Sequence, residues 1–251
     1  MEDRIILIDK PAGISSFGIV AKIRGKLKAE LGKKVKVGHT GTLDPFATGL
    51  LILLTGKMTK KSSDFLKLDK TYEATLKLGF TSTTGDPEGE IREVISSKHS
   101  ENLGVQYQPI EDHARPTGRE RATEPRNDGR EGARPKLVDI ELVLSPFIGK
   151  ITQTPPKFSA IKINGQRAYK LARKGADFEV PSREVTIYNI EILDYNYPEL
   201  RIRCDVSSGT YIRTLAEDIG EKLGTGAYLT ALRRIKIGDY DIKDAKTLDM
   251  I

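Results

Sequence analysis

The chain has 251 residues, 38% of them apolar, with a formal net charge of +6 and an isoelectric point near 9.2. That length and apolar share suit one large domain with its own core, and the excess of positive charge points to a polyanionic partner. The single Cys204 excludes a disulfide framework or a cysteine-based metal site; with no leader-like segment and no apolar run long enough for a membrane span, a cytoplasmic protein is expected.

Ile5–Asp9 reads as a short strand stopped by Pro11. Ser15 or Ser16 then caps a helix whose apolar face is Ile19, Val20, Ile23, Leu27 and Leu31, and Gly32 ends it. The apolar run 50–54 is a buried strand, and 71–80 alternates as a half-buried one. Gly85-Asp86-Pro87-Glu88-Gly89 turns the chain, and Ile161-Lys162-Ile163-Asn164-Gly165 signals a hairpin. Val185–Tyr195 and Leu200–Val206 pair as neighbours, with Cys204 pointing into the core. Ile212–Leu223 is helical up to Gly224, and Leu229–Ile237 returns as a strand. Few parallel crossovers are evident, so the fold class is α+β, with a mixed, largely antiparallel sheet flanked by helices.

Residues 97–136 interrupt this pattern. From His99 to Lys136 there are seven basic and seven acidic residues, and from 111 to 136 there is no Val, Leu, Ile, Phe or Tyr. Such a stretch cannot bury enough apolar surface to offset its ordering entropy, and a disordered insertion into the single domain 1–251 is expected. His99 and His113 lie there without cysteine partners, so no metal site is expected. The P-loop, dinucleotide and calcium-loop patterns each fail at a required position, and no cofactor is indicated.

The most informative stretch is 37–50, VGHTGTLDPFATGL. Asp44-Pro45 favours a turn, while Gly38, Gly41 and Gly49 allow tight bends or close backbone approach. A carboxylate results on a stiff loop at a sheet edge, leading into a buried strand. Taken alone, these residues favour a turn aspartate bonded to its own backbone over a catalytic group. Around it in sequence lie two basic runs. Lys22, Arg24, Lys26, Lys28, Lys33, Lys34 and Lys36 precede it, and Lys57, Lys60, Lys61, Lys67 and Lys70 follow, as a phosphate-binding surface requires.

GHTGTLDPFATGLL is similar, nearly residue for residue, to the nucleophile motif of the TruB family, the tRNA pseudouridine-55 synthases. In the family's order stand DKPAGISS at 9–16, KTYEA at 70–74, QTPPKFSAIKINGQRAY at 153–169, GTYIRTLAEDIGEKLG at 209–224 and LRR at 232–234. The resemblance implies the pseudouridine synthase fold and isomerisation of a T-loop uridine in tRNA. It implies Asp44 as nucleophile, Arg213 as its ion-pair partner, and Tyr72 as the residue that stacks on the flipped base and takes its C5 proton. Tyr211 and Leu232 would line the uracil pocket, His39 would enter the RNA loop, and Lys10 with Pro11 would brace the active-site loop. Residues 152–177, with Lys157, Lys162, Arg167, Lys170, Arg173 and Lys174, resemble the family's RNA-clasping segment.

The implied partner is the T-arm stem–loop of tRNA, bound by a monomer with no obligate protein partner. Family members often continue into a small C-terminal RNA-binding module, and none is expected here. Two alternatives stand beside this reading: a guide-RNA-dependent synthase subunit, and a non-catalytic tRNA-binding or folding factor. The second would not need a nucleophile, a base-stacking tyrosine and an arginine together.

Overall fold

The computed structural model describes residues 3–94 and 134–250. In chain order the elements are β1 (Ile5–Lys10), α1 (Ser16–Leu31), β2 (Val37–His39), β3 (Thr48–Thr55), α2 (Ser62–Leu66) and β4 (Lys70–Leu78). Then come β5 (Phe80–Ser82), β6 (Ile91–Glu93), α3 (Leu137–Leu144), β7 (Gly149–Gln153), β8 (Lys162–Ile163), β9 (Gln166–Arg167) and α4 (Ala168–Arg173). The chain closes with β10 (Arg183–Asn196), β11 (Glu199–Val206), α5 (Ile212–Lys222), β12 (Ala227–Ile237) and β13 (Tyr240–Asp241). The expected insertion at 97–136 falls mostly on 95–133, outside the described residues.

One sheet carries the molecule, in the order β1-β3-β12-β4-β11-β10-β7, with β2 added on β3 and β13 on β12. All pairings are antiparallel except β3 with β12, so the sheet is mixed and largely antiparallel. The parallel contact has a local cause. Gly49 holds φ +104°, and a Cβ there would lie 2.3 Å from the Arg234 carbonyl oxygen, so only glycine lets β12 come this close.

Burial explains the sequence pattern. In β4, Lys70, Tyr72, Ala74, Leu76 and Leu78 are buried and the residues between them are not. This face meets β11, β12, α3 and α5 in the largest core. Strand β3 is apolar on both sides because both are covered. Leu51 and Leu53 pack with Ile19, Val20 and Ile23 of α1, while Leu50, Ile52 and Leu54 pack with Phe65 and Ile237.

Helix α1 is capped by the Ser15 hydroxyl, which accepts from the Gly18 N–H at 3.0 Å, and ends at Gly32 with φ +67°. The hairpin β8–β9 turns at Asn164 and Gly165, both at positive φ, as the Asn-Gly signal requires. Helix α3 was not legible in the sequence. Of its apolar residues only Ile140 and Leu144 are buried, while Leu137, Val138 and Leu142 face outward, which hides the helical period.

Candidate active site

Asp44 sits between β2 and β3, and segment 10–16 holds its loop from below. The Ser16 hydroxyl donates to the Leu43 carbonyl and accepts from the Leu43 N–H, both at 2.8 Å. The Gly13 N–H donates to the Pro45 carbonyl at 2.8 Å. The Lys10 ammonium is fully buried and donates to the carbonyls of Pro11 (2.9 Å), Ile14 (2.8 Å) and Pro45 (3.2 Å). Burial pulls the Lys10 pKa down to about 8, against the opposing pull of Asp44. The loop leads into β3, an interior strand lying between β1 and β12, which corrects the expectation of a sheet edge.

Arg213, the second residue of α5, points inward rather than to solvent, with 5% of its side chain accessible. Its Nε lies 3.2 Å from Asp44 Oδ2. Its Nη1 donates to the Thr84 carbonyl (2.9 Å) and to Asp86 Oδ2 (3.1 Å), and its Nη2 to the Phe158 carbonyl (2.7 Å). One guanidinium thus joins three loops: the Asp44 loop, the turn after β5 and the segment after β7. A rigid planar fork with five donors suits this task, and a flexible ammonium does not. Asp86 is nearly buried and is fixed on its other oxygen by the Thr84 hydroxyl (2.6 Å) and the Glu88 N–H (3.0 Å). Asp44, by contrast, keeps 34% of its side chain accessible, so its carboxylate can be reached from solvent. Burial raises the Asp44 pKa above the ordinary aspartate value, Arg213 opposes this, and Asp86 adds to it.

Tyr72 and Leu232 belong to the same core cluster as Leu43 and Ala47 of the loop. Leu232 faces Ala74 across β12–β4, and Tyr72 is its diagonal neighbour. Tyr211 lies two residues before Arg213, at the cap of α5. His39 ends β2. Its Nδ1 is buried without a hydrogen-bond partner, and burial, followed by the charges of Arg234 and Arg167, lowers its pKa. Asp44 is ion-paired with Arg213, and Lys10 holds the same loop through the Pro45 carbonyl. Tyr72 and Leu232 pack with the loop's Leu43 and Ala47, and Tyr211 adjoins Arg213 along the chain.

Part of each basic run flanks Asp44 in sequence but not in space. The Gly56 N–H donates to the Lys36 carbonyl at 2.9 Å, which sets Lys33, Lys34 and Lys36 beside Lys57, Lys60 and Lys61. That end of β3 is roughly 23 Å from its Asp44 end, at about 3.3 Å per residue.

Sequence reasoning missed Asp86, Thr84, Phe158, Gln153 and Glu217. Asp86 carried a signal, since Asp86-Pro87 repeats the Asp-Pro of Asp44-Pro45 inside a glycine-bounded turn. Glu217 lies one helical turn beyond Arg213, and burial pushes its pKa up to about 7 against the pull of Arg213. A carboxyl raised in the folded state holds its proton more tightly there. Its contribution to stability is present at low pH and is lost as pH rises from the ordinary glutamate range through about 7. Glu217→Gln is therefore expected to stabilise the fold at about pH 8 by on the order of 1–2 kcal/mol and to change little near pH 5. Thermal melts of both proteins at the two pH values check this, and equal gains at both would contradict it.

Among the described residues no helix is long and apolar enough to cross a membrane, and no group of three or more His, Cys, Asp or Glu stands ready for a metal.

Residues 26–111 and 117–212 match the TruB family pseudouridylate synthase N-terminal domain, and 213–251 match the tRNA pseudouridylate synthase B C-terminal domain. In this fold the latter span begins with Arg213 and supplies β12, in the middle of the sheet. The chain is 41% identical over 250 residues to the tRNA pseudouridine synthase B of Phocaeicola vulgatus, covering 99% of this chain and 91% of that protein. It is 42% identical over 252 residues to the tRNA pseudouridine synthase B of Cupriavidus pinatubonensis, covering 98% of this chain and 66% of that longer protein. A chain in the structure of an H/ACA RNP bound to a substrate RNA containing 2′-deoxyuridine shares the fold, with a TM-score of 0.59 at 24% identity over 98% of this chain and 51% of that one. A mixed sheet flanked by helices, an aspartate held by a buried arginine and near-full-length similarity agree: the chain belongs to the TruB family of pseudouridylate synthases, which are isomerases.

Proposed function

We propose that this protein converts the T-loop uridine at position 55 of tRNA to pseudouridine, with Asp44 as the nucleophile. The observation that carries this reading is the Arg213–Asp44 pair, in which a buried guanidinium orients a carboxylate that remains accessible to solvent. The reaction breaks the N1–C1′ bond, turns the uracil and joins C5 to C1′. Atoms and electrons balance without a redox partner or an energy donor. It requires a group that attacks, holds the reactive fragment and is released, which an ionised carboxylate can do. Arg213 favours that ionised form.

The uridine must leave its stack to react, and an aromatic face compensates by about 1–3 kcal/mol per base. Tyr72 takes that role and the removal of the C5 proton, while Tyr211 and Leu232 enclose the uracil. His39, lowered in pKa and neutral, takes the space the base vacates, and Lys10 fixes the loop through the Pro45 carbonyl. Incubating purified protein with unmodified tRNA, without added cofactor, and mapping pseudouridine tests the whole reading. Modification absent from position 55 would overturn it.

Sequence-specific RNA readers favour loops with splayed bases, and every residue assigned here surrounds one loop of the protein. An isolated T-arm stem–loop is expected to bind and react nearly as well as whole tRNA, and binding should weaken steeply with salt as counterions are no longer released. Competition between the two RNAs at fixed ionic strength decides this. A preference for whole tRNA by orders of magnitude would require contacts beyond the T-arm.

A further inference from the structure

Gln153, the last residue of β7, is the register partner of Arg183, the first residue of β10. Both reach the same residue. The Gln153 side chain is buried; its Oε1 accepts from the Tyr211 N–H at 2.8 Å and its Nε2 donates to the Tyr211 carbonyl at 3.0 Å. Strand β7 ends the sheet, and this amide supplies Tyr211 with the pair of bonds that a neighbouring strand would otherwise give. Tyr211 is extended there, at φ −101° and ψ 114°, and caps α5 without a side-chain bond of its own.

Arg183 grips the other part of the tyrosine. Its guanidinium lies over the Tyr211 ring, 4.9 Å from the centroid, and its Nη2 donates to the Gly209 carbonyl. Gly209 holds φ +90°, a backbone conformation that favours glycine, and a Cβ there would stand 3.3 Å from the guanidinium carbon. Two residues facing each other across one register position thus hold one tyrosine, by its backbone and by its ring. Arg213 follows two residues later, on the first turn of α5.

We infer that Gln153 and Arg183 form a positioning pair that sets Tyr211 against the uracil and aims Arg213 at Asp44. This rests on the roles proposed above for Asp44 and Tyr211. Neither residue of the pair touches Asp44, so their effect travels through the 209–213 segment. Displacements of about 1 Å at reacting groups cost up to about 10²-fold in rate, while the surface that binds RNA is left in place.

The test compares Gln153→Met, Gln153→Glu and Arg183→Lys with the parent, using single-turnover pseudouridine formation and tRNA dissociation constants. The methionine variant removes both bonds to Tyr211, and the lysine variant keeps the charge but loses the planar stack. Each is expected to slow the reaction by roughly 10–100-fold with tRNA affinity within about threefold of the parent. Gln153→Glu adds a signature that a merely structural role would not show. Its ionised carboxylate opposes the Tyr211 carbonyl, whereas its protonated form donates to it. The ratio of its rate to the parent rate should therefore rise as pH falls from about 8 to about 6.

Parent-like rates for Gln153→Met and Arg183→Lys, a flat Gln153→Glu ratio, or affinity losses that match the rate losses would overturn the inference. If the methionine variant does not fold, the pH dependence of the Gln153→Glu ratio decides. An active parent with indifferent Gln153 and Arg183 variants removes only the positioning pair. A parent that forms no pseudouridine, or an active Asp44→Asn variant, removes the reading on which the pair rests.

Discussion

Asp44→Asn is expected to lower pseudouridine formation by at least about 10³-fold, a barrier increase of about 4 kcal/mol, while tRNA still binds. The amide keeps the size of the side chain and can still accept from Arg213 Nε, but it is no nucleophile. The same substitution should leave the melting temperature equal to or above that of the parent at neutral pH. Burial is the largest influence on the Asp44 carboxyl and raises its pKa, so ionising it within the fold works against stability as pH rises through that value. Asparagine removes that cost, and Arg213 retains Asp86 as its counter-charge. For the parent, the acid limb of the rate profile should lie above the ordinary aspartate range, because only the carboxylate attacks. Substantial turnover by the asparagine variant would take Asp44 out of the mechanism, and a fall in melting temperature of several degrees would contradict the electrostatic account.

Much of this architecture was readable because local and global signals agree. Strand β4 alternates because one face meets the core. The run 50–54 is continuous because α1 covers one side of β3 and Phe65 with Ile237 the other. Helix α1 carries both its cap and its stop in the sequence. Within the site, Asp44 was legible from its turn chemistry together with its motif. Arg213 was legible only through the motif, since an arginine in the first turn of a helix is unfavourable against the helix dipole and reads as a surface residue. What reverses that reading lies far away in sequence: Asp44, Thr84, Asp86 and Phe158 converge on it from three loops. Gln153 was illegible for the same reason, because its two partners are the N–H and carbonyl of a residue 58 positions away. Backbone acceptors leave no mark in a sequence. Lys33, Lys34, Lys36, Lys57, Lys60 and Lys61 show the converse, since they are near Asp44 along the chain but stand at the other end of β3.

Arg213→Met should be the most damaging single change to the fold within this site. It leaves Asp86, with 4% of its side chain accessible, as a buried carboxylate without its counter-charge, and it removes donors from the carbonyls of Thr84 and Phe158. Breaking a buried pair from one side costs about 3–5 kcal/mol, equivalent here to a drop of roughly 10 °C in melting temperature. Activity should vanish as well, since Asp44 loses both its orienting contact and the charge that favours its ionised form. Adding Asp86→Asn to this variant removes the stranded carboxylate. The double variant should therefore be more stable than the sum of the two single losses allows, by at least about 1 kcal/mol. Arg213→Lys separates charge from geometry. It retains a cation beside Asp44 and Asp86 but cannot reach four acceptors in three directions, so most of the stability should return while the rate stays far below the parent. Denaturant unfolding of the parent and the four variants, with single-turnover rates for the lysine variant, checks each part. Strict additivity in the double variant would show that Arg213 and Asp86 act independently, and a parent-like rate for lysine would show that charge alone suffices at this position.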